Sequence, residues 1–136
     1  LDRIPTLEPA FVEGGTITAA NASSISDGAA ALVLTRASVA QQQGMQILAE
    51  VTATAAHAHD PGLFPTAPVP AMRKAMDKAG WDVNDVDLFE VNEAFAAVAM
   101  IAMHDLAIPY DKINVNGVAG ICIGGGEATA MAIERV

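Results

Sequence analysis

Aromatic side chains make up only 4% of this 136-residue sequence, which rules out a core organised around large rings. Abundant Ala and Gly point instead to elements packed closely through small side chains. Cysteine is almost absent. Cys122 is the one thiol, so no internal disulfide can form and no cysteine pair has zinc-site spacing. A reducing compartment, the cytoplasm, is the setting this suggests. Basic residues are also few, seven Lys and Arg against 16 Asp and Glu, for a net charge of -9. Because affinity for a phosphate backbone comes mainly from Lys and Arg, and these are scattered, the balance argues against a nucleic-acid partner. The longest apolar run, residues 94–103, is well short of the ~20 residues a membrane span needs. No leader-like succession follows Leu1, so a soluble chain that begins inside a longer parent is expected. The 52% of hydrophobic residues is enough for one ordinary domain.

Prolines and glycines without sustained periodicity mark the first fifteen residues as a connecting arm. Residues 29–35 read as a short buried strand, after which Thr35 could cap a helix over 36–43 that stops at Gly44. Residues 47–56 alternate and carry β-branched Val51, Thr52 and Thr54, which predicts a second strand. After a proline-rich loop, Pro70 suits the first turn of a helix, and Val69, Met72, Ala75, Met76 and Ala79 recur at helical spacing before Gly80 ends it. Residues 86–91 read as a third strand, leading through Asn92 into a helix over 93–106 that is apolar almost all round. A fourth strand is expected at 113–116, and a final pair at 121–123 and 128–133 around Gly124, Gly125 and Gly126. Strands alternating with helices imply an α/β layered fold with a mixed, mostly parallel sheet. One step breaks the rhythm. Between the strands at 113–116 and 121–123 there is no room for a parallel crossover, so either they form a hairpin or a helix is missing between them.

Candidate functional residues each carry a plain structural alternative. Asn92 follows a strand and opens a buried helix, where its amide could orient a water or donate to a developing oxyanion. Spacing alone favours an N-cap, with Glu93 complementing the helix dipole. Cys122 could serve as an acid/base, since an unperturbed thiol titrates at roughly pH 8.5; most buried cysteines are inert small hydrophobes. Gly124 to Gly126 could aim amide hydrogens at an anion, or simply make a tight turn. The small residues around Asn21, Ser23 and Asp27 could let a ligand lie against the backbone, or pack within the core. His57 and His59 near Asp60 read as surface residues, and His104 as a favourable charge at a helix C-terminus. No metal site is expected.

Taken together these stretches are far more specific than any one of them. Gly15-Thr-Ile-Thr-Ala-Ala-Asn-Ala-Ser23 with Asp27-Gly28, the run Pro68-Val-Pro-Ala-Met-Arg-Lys through Trp81, Asn92-Glu93-Ala94-Phe95, Asn114-Val115-Asn116-Gly117 and Cys122-Ile123-Gly124-Gly125-Gly126 occur in the order found in thiolases. The sequence resembles the C-terminal portion of that family, acyl-CoA:acetyl-CoA acyltransferases, over nearly its whole length. The resemblance implies three parts: residues 1–28 as a connecting arm and tail of the N-terminal half, 29–45 as that half's last strand and helix, and 46–136 as the C-terminal domain, interrupted near 117–121. It implies coenzyme A thioesters as substrates and no covalently bound cofactor. It also implies a role in fatty acid metabolism and assembly into a homo-oligomer or with a thiolase N-terminal half. Asn92 would hold the water of one oxyanion hole, Cys122 would be the acid/base at the α-carbon, the Gly124 amide would join the other oxyanion hole, and Ser23 would lie beside the pantetheine arm. Asn92 also points away from the sterol-carrier type, which has histidine there.

Two departures matter. The acyl-accepting cysteine of the family lies in the first half, so Cys122 does not fill that role. After Gly117 the family continues through a Gly-His-Pro motif and a buried helix, whereas here Val118, Ala119 and Gly120 lead straight to Ile121. Without the catalytic histidine, this chain by itself is expected to be inactive. The competing readings are a non-catalytic thiolase-like assembly domain and a stand-alone module binding an acyl-CoA or nucleotide through the glycine turn, the latter disfavoured by the lack of a cationic patch.

Overall fold

The computed structural model describes residues 2–25, 27–115 and 125–136. Its regular elements are α1 (Ala37–Gln42), β1 (Ala49–Ala58), α2 (Pro68–Ala79), α3 (Ala96–Leu106) and β2 (Glu127–Arg135), joined by short 3-10 turns. Strands β1 and β2 pair antiparallel from Ala49 against Arg135 to Ala58 against Glu127, with a bulge between Val51 and Ala53. The α/β class stands, but the pairing differs from the expected mostly parallel sheet. Among the described residues the ladder is antiparallel, and parallel pairing is confined to a single bridge between Phe89 and Ile113.

Small side chains set the packing of α2 on this sheet. Ala53, Ala55 and His57 share a face with their partners Ala132, Ala130 and Ala128. The helix meets that face with Ala67 and Ala71, both fully buried, and with Ala75. Lys74 and Lys78 extend along the sheet, their Nζ atoms donating to the carbonyls of Ala56 at 3.4 Å and Thr54 at 2.9 Å. Gly80 ends α2 in the left-handed conformation (φ 74), as the sequence predicts. The opposite face of the sheet, with Val51, Met131 and Ile133, is exposed.

A second core joins α2 to α3. Val69, Phe89, Val91, Val98, Ala102, Leu106, Ile108 and Ile113 form one buried cluster, with Met72 and Met76 against it. Arg73, midway along α2, ties that helix to the C-terminal end of α3, its guanidinium donating to the carbonyl of Asp105 at 2.6 Å. No described helix is long and apolar enough to cross a membrane.

Several expected elements are shorter or missing. Residues 29–35 form no strand, and Leu32, Val33 and Leu34 are exposed, because no described strand lies beside them to complete a ladder. Helix α1 is capped by Arg36 rather than Thr35, without a side-chain bond. The strand expected at 86–91 shrinks to the bridge of Phe89 with Ile113, and the described part of that expected at 113–116 turns at Asn114, φ 51, while residue 116 lies outside the described residues. The strand expected at 121–123 lies outside the described residues. That at 128–133 is present as β2, with β1 as its partner.

Candidate functional site

The stretch from Phe89 to Phe95 is held from two sides. On one side, the Phe89 amide donates to the Lys112 carbonyl at 2.7 Å and the Asn114 amide to the Phe89 carbonyl at 2.8 Å. The next rung is made by a side chain. Asn114 Oδ1 accepts from the Val91 amide at 2.7 Å, while its Nδ2 donates to the Val91 carbonyl at 2.9 Å and to Glu93 Oε1 at 2.6 Å. Asn92 lies between these two anchored residues and is half-buried.

On the other side the arm docks. Asn21 folds the arm on itself, its Oδ1 accepting from the Thr18 amide at 2.7 Å and its Nδ2 donating to the Thr16 carbonyl at 3.0 Å. The same segment then pairs with the chain beyond Asn92 through an antiparallel bridge between Ala22 and Phe95. The Ser23 amide donates to the Ala94 carbonyl at 3.2 Å, and the Ala96 amide to the Asn21 carbonyl at 2.9 Å. Three of the chain's four phenylalanines reinforce the junction, the Phe95 ring lying 6.1 Å from Phe11 and 5.9 Å from Phe64.

This docking revises the reading of Asn92 as a helix cap. Pairing with residues 21–23 keeps Phe95 extended, so α3 starts at Ala96 with Phe95 as its N-cap residue and no side-chain cap. Glu93 stands outside the helix and serves as an acceptor for Asn114. The structure thus brings Ser23 and Asn92 into one region, from two stretches about seventy residues apart in sequence, at the N-terminal end of α3. There the partial positive charge of the helix favours a developing anion. Cys122 and Gly124 lie outside the described residues. The turn that follows them enters β2 with Gly125 at φ 63 and Gly126 at φ 83, and the His59 amide donates to the Gly126 carbonyl at 3.1 Å.

The histidines are engaged elsewhere. His57 Nδ1 lies 3.1 Å from Lys74 Nζ, and the His57 and His59 rings meet edge to face at 5.2 Å. Partial burial, then the Lys74 charge, then His59, hold the His57 imidazole below its ordinary pKa of 6.5. His59 Nε2 contacts the Leu63 carbonyl at 2.9 Å, and His104 pairs with Asp105 at the end of α3. Among the described residues no group of three His, Cys, Asp or Glu could hold a metal ion. Sequence reasoning missed Asn114 as more than part of a motif; the one available signal was that Asn tolerates the left-handed region better than most residues.

An arm-braced Asn92 at the mouth of an apolar helix, in a chain whose ordered motifs run from Gly15 to Gly126, defines a class. Residues 45–119 match the model of the thiolase C-terminal domain and residues 1–38 that of the thiolase N-terminal domain, so the chain belongs to the thiolase family. Among individual proteins it is similar to the acetyl-CoA acetyltransferase of Rhizobium meliloti (strain 1021), 39% identical over 168 positions covering all of this chain and 43% of that protein. It is likewise similar to the probable acetyl-CoA acetyltransferase of Dictyostelium discoideum, at 38% identity over 99% of this chain and 40% of that one. The crystal structure of the Bacillus anthracis acetyl-CoA acetyltransferase superposes with a TM-score of 0.91 at 32% identity, over 99% of this chain and 42% of the other. That of human mitochondrial 3-ketoacyl-CoA thiolase gives 0.90 at 31%, over 98% and 42%. The chain therefore spans less than half the length of these relatives. The 168-position alignment exceeds the 136 residues available here, so the relative has residues with no counterpart in this chain. The C-terminal-domain match ends at residue 119.

Proposed function

We propose that this chain is the C-terminal portion of an acyl-CoA:acetyl-CoA acyltransferase, and that these 136 residues alone do not turn over. The observation that carries the reading is the convergence of Ser23 and Asn92 at the start of α3 in a chain of the thiolase family. Here Asn92 holds a water against the enolate oxygen of the second acyl-CoA, and the N-terminus of α3 adds its dipole. Cys122 takes and returns the α-proton, the Gly124 amide contributes to the other oxyanion hole, and Ser23 borders the pantetheine arm. The substrates are coenzyme A thioesters, in a cytoplasmic branch of fatty acid metabolism, with an oligomer as the working assembly.

Inactivity follows from the residues that are missing. The chain has one cysteine, which this assignment uses as acid/base, and no histidine in a Gly-His-Pro segment to activate a nucleophile. The test is thiolysis of acetoacetyl-CoA. The chain alone is expected to show none, and turnover by it would overturn the inactive reading. A longer chain, in which a homologous thiolase supplies the first half and the Gly-His-Pro segment, is expected to turn over; its failure would overturn the acyltransferase assignment.

A second reading is a non-catalytic assembly domain. It is supported by the exposed sheet face of Val51, Met131 and Ile133 and by exposed Leu32, Val33 and Leu34. Self-association in light scattering without any thiolysis by the longer chain would favour it.

A further inference from the structure

We propose that Asn114 is the positioning residue for Asn92, an inference that rests on the acyl-CoA reading of the site only for what Asn92 does and not for how it is held. The three bonds from one side-chain amide fall on both neighbours of Asn92: the amide and carbonyl of Val91, and the carboxylate of Glu93. Asn114 thus acts as an extra peptide unit, continuing the Phe89 and Ile113 pairing by one rung after the backbone has turned away.

The residue type fits this use. Its φ of 51 is a left-handed conformation that Asn adopts more readily than most residues, and this turn points the side chain rather than the backbone at Val91. Glycine would keep the turn and lose the clasp. Aspartate would keep the acceptor for the Val91 amide, lose both donations and set a second carboxylate against Glu93. Beyond Asn92, the chain is fixed by Ser23 and Asn21. Asn92 is therefore held between two clamps, and Asn114 is the one that reaches its immediate neighbours.

The experiment is nuclear magnetic resonance on the full chain, comparing wild type with N114G. Loss of the two bonds to Val91 is expected to speed exchange of the Val91 amide about tenfold or more and to shift or broaden the Asn92 side-chain amide resonances, while Ala55 and Ala130 in the sheet keep their protection. Unchanged Val91 exchange and Asn92 resonances would overturn the proposal. If N114G does not fold, the wild-type chain decides: Asn114 Nδ2 protons protected from exchange support the clasp, and free-solution exchange overturns it. Thiolysis of acetoacetyl-CoA by the longer chain described above separates the two claims. Should that chain fail to turn over while N114G still frees Val91, the clasp stands and the acyl-CoA reading of the site falls.

Discussion

Residues 89–106 and residues 29–34 are both strongly apolar in sequence, yet they meet opposite fates. The first stretch buries Phe89, Val91, Val98, Ala102 and Leu106 against α2 and Ile113. The second leaves Leu32, Val33 and Leu34 at 84%, 82% and 77% exposure. The difference lies in the partners. Residues 89–106 find theirs within the chain, in α2, in Asn114 and in the arm, whereas no described element lies across residues 29–34. A run of hydrophobic residues states a demand for cover, and only tertiary structure says whether the demand is met.

Substitutions can break or sharpen that contrast. The largest effect is expected on the covered side: Leu106→Ala removes a nearly buried side chain from the α2 and α3 core and should cost about 3 kcal/mol in urea unfolding. Gly126→Ala comes next. An added Cβ would sit 2.4 Å from the His59 carbonyl oxygen, at a φ of 83, and about 2 kcal/mol is the expected loss, read as a lower unfolding midpoint. Leu34→Ser tests the uncovered side. It should change stability by less than about 0.5 kcal/mol, and a larger loss would mean that this run is covered in solution.

The smallest effect is a pH dependence at His57. Its pKa is depressed in the folded chain, so the stability it contributes is fully present above 6.5 and declines as the pH falls through the folded value. The His57 ring resonance should titrate with a midpoint below 6.5, and Lys74→Met should move that midpoint upward. An unmoved midpoint would show that Lys74 is not a source of the shift.

Local chemistry made part of this fold legible in advance. Helix α2 followed from the spacing of Val69, Met72, Ala75 and Met76 and from the glycine that ends it. Strand β1 followed from its β-branched residues. What escaped the sequence depended on distant neighbours: residues 92–95 stay out of α3 because residues 21–23 pair with the chain at 94–96, and the pairing around Phe89 and Ile113 is cut short by the turn at Asn114. At the site, Ser23 and Asn92 were singled out through their motifs, and the structure pairs the Ser23 stretch with the chain at Ala94, two residues beyond Asn92, while the role of each rests on the family motif. The clasp of Asn114 was not legible, because the tolerance of Asn for a left-handed φ is a weak local signal and its reach to Val91 has none. Cys122 and Gly124 lie outside the described residues, and their roles stand on the family motif alone.

The most direct test of the central claim is intact-mass spectrometry of the chain after incubation with acetyl-CoA, with the released products assayed in the same sample. If, as proposed, the chain holds the Asn92 part of an acyltransferase site without the acyl-accepting cysteine, it keeps its mass and forms no acetoacetyl-CoA. A stable acetyl adduct on Cys122 accompanied by acetoacetyl-CoA would contradict the account, because it would make Cys122 the nucleophile.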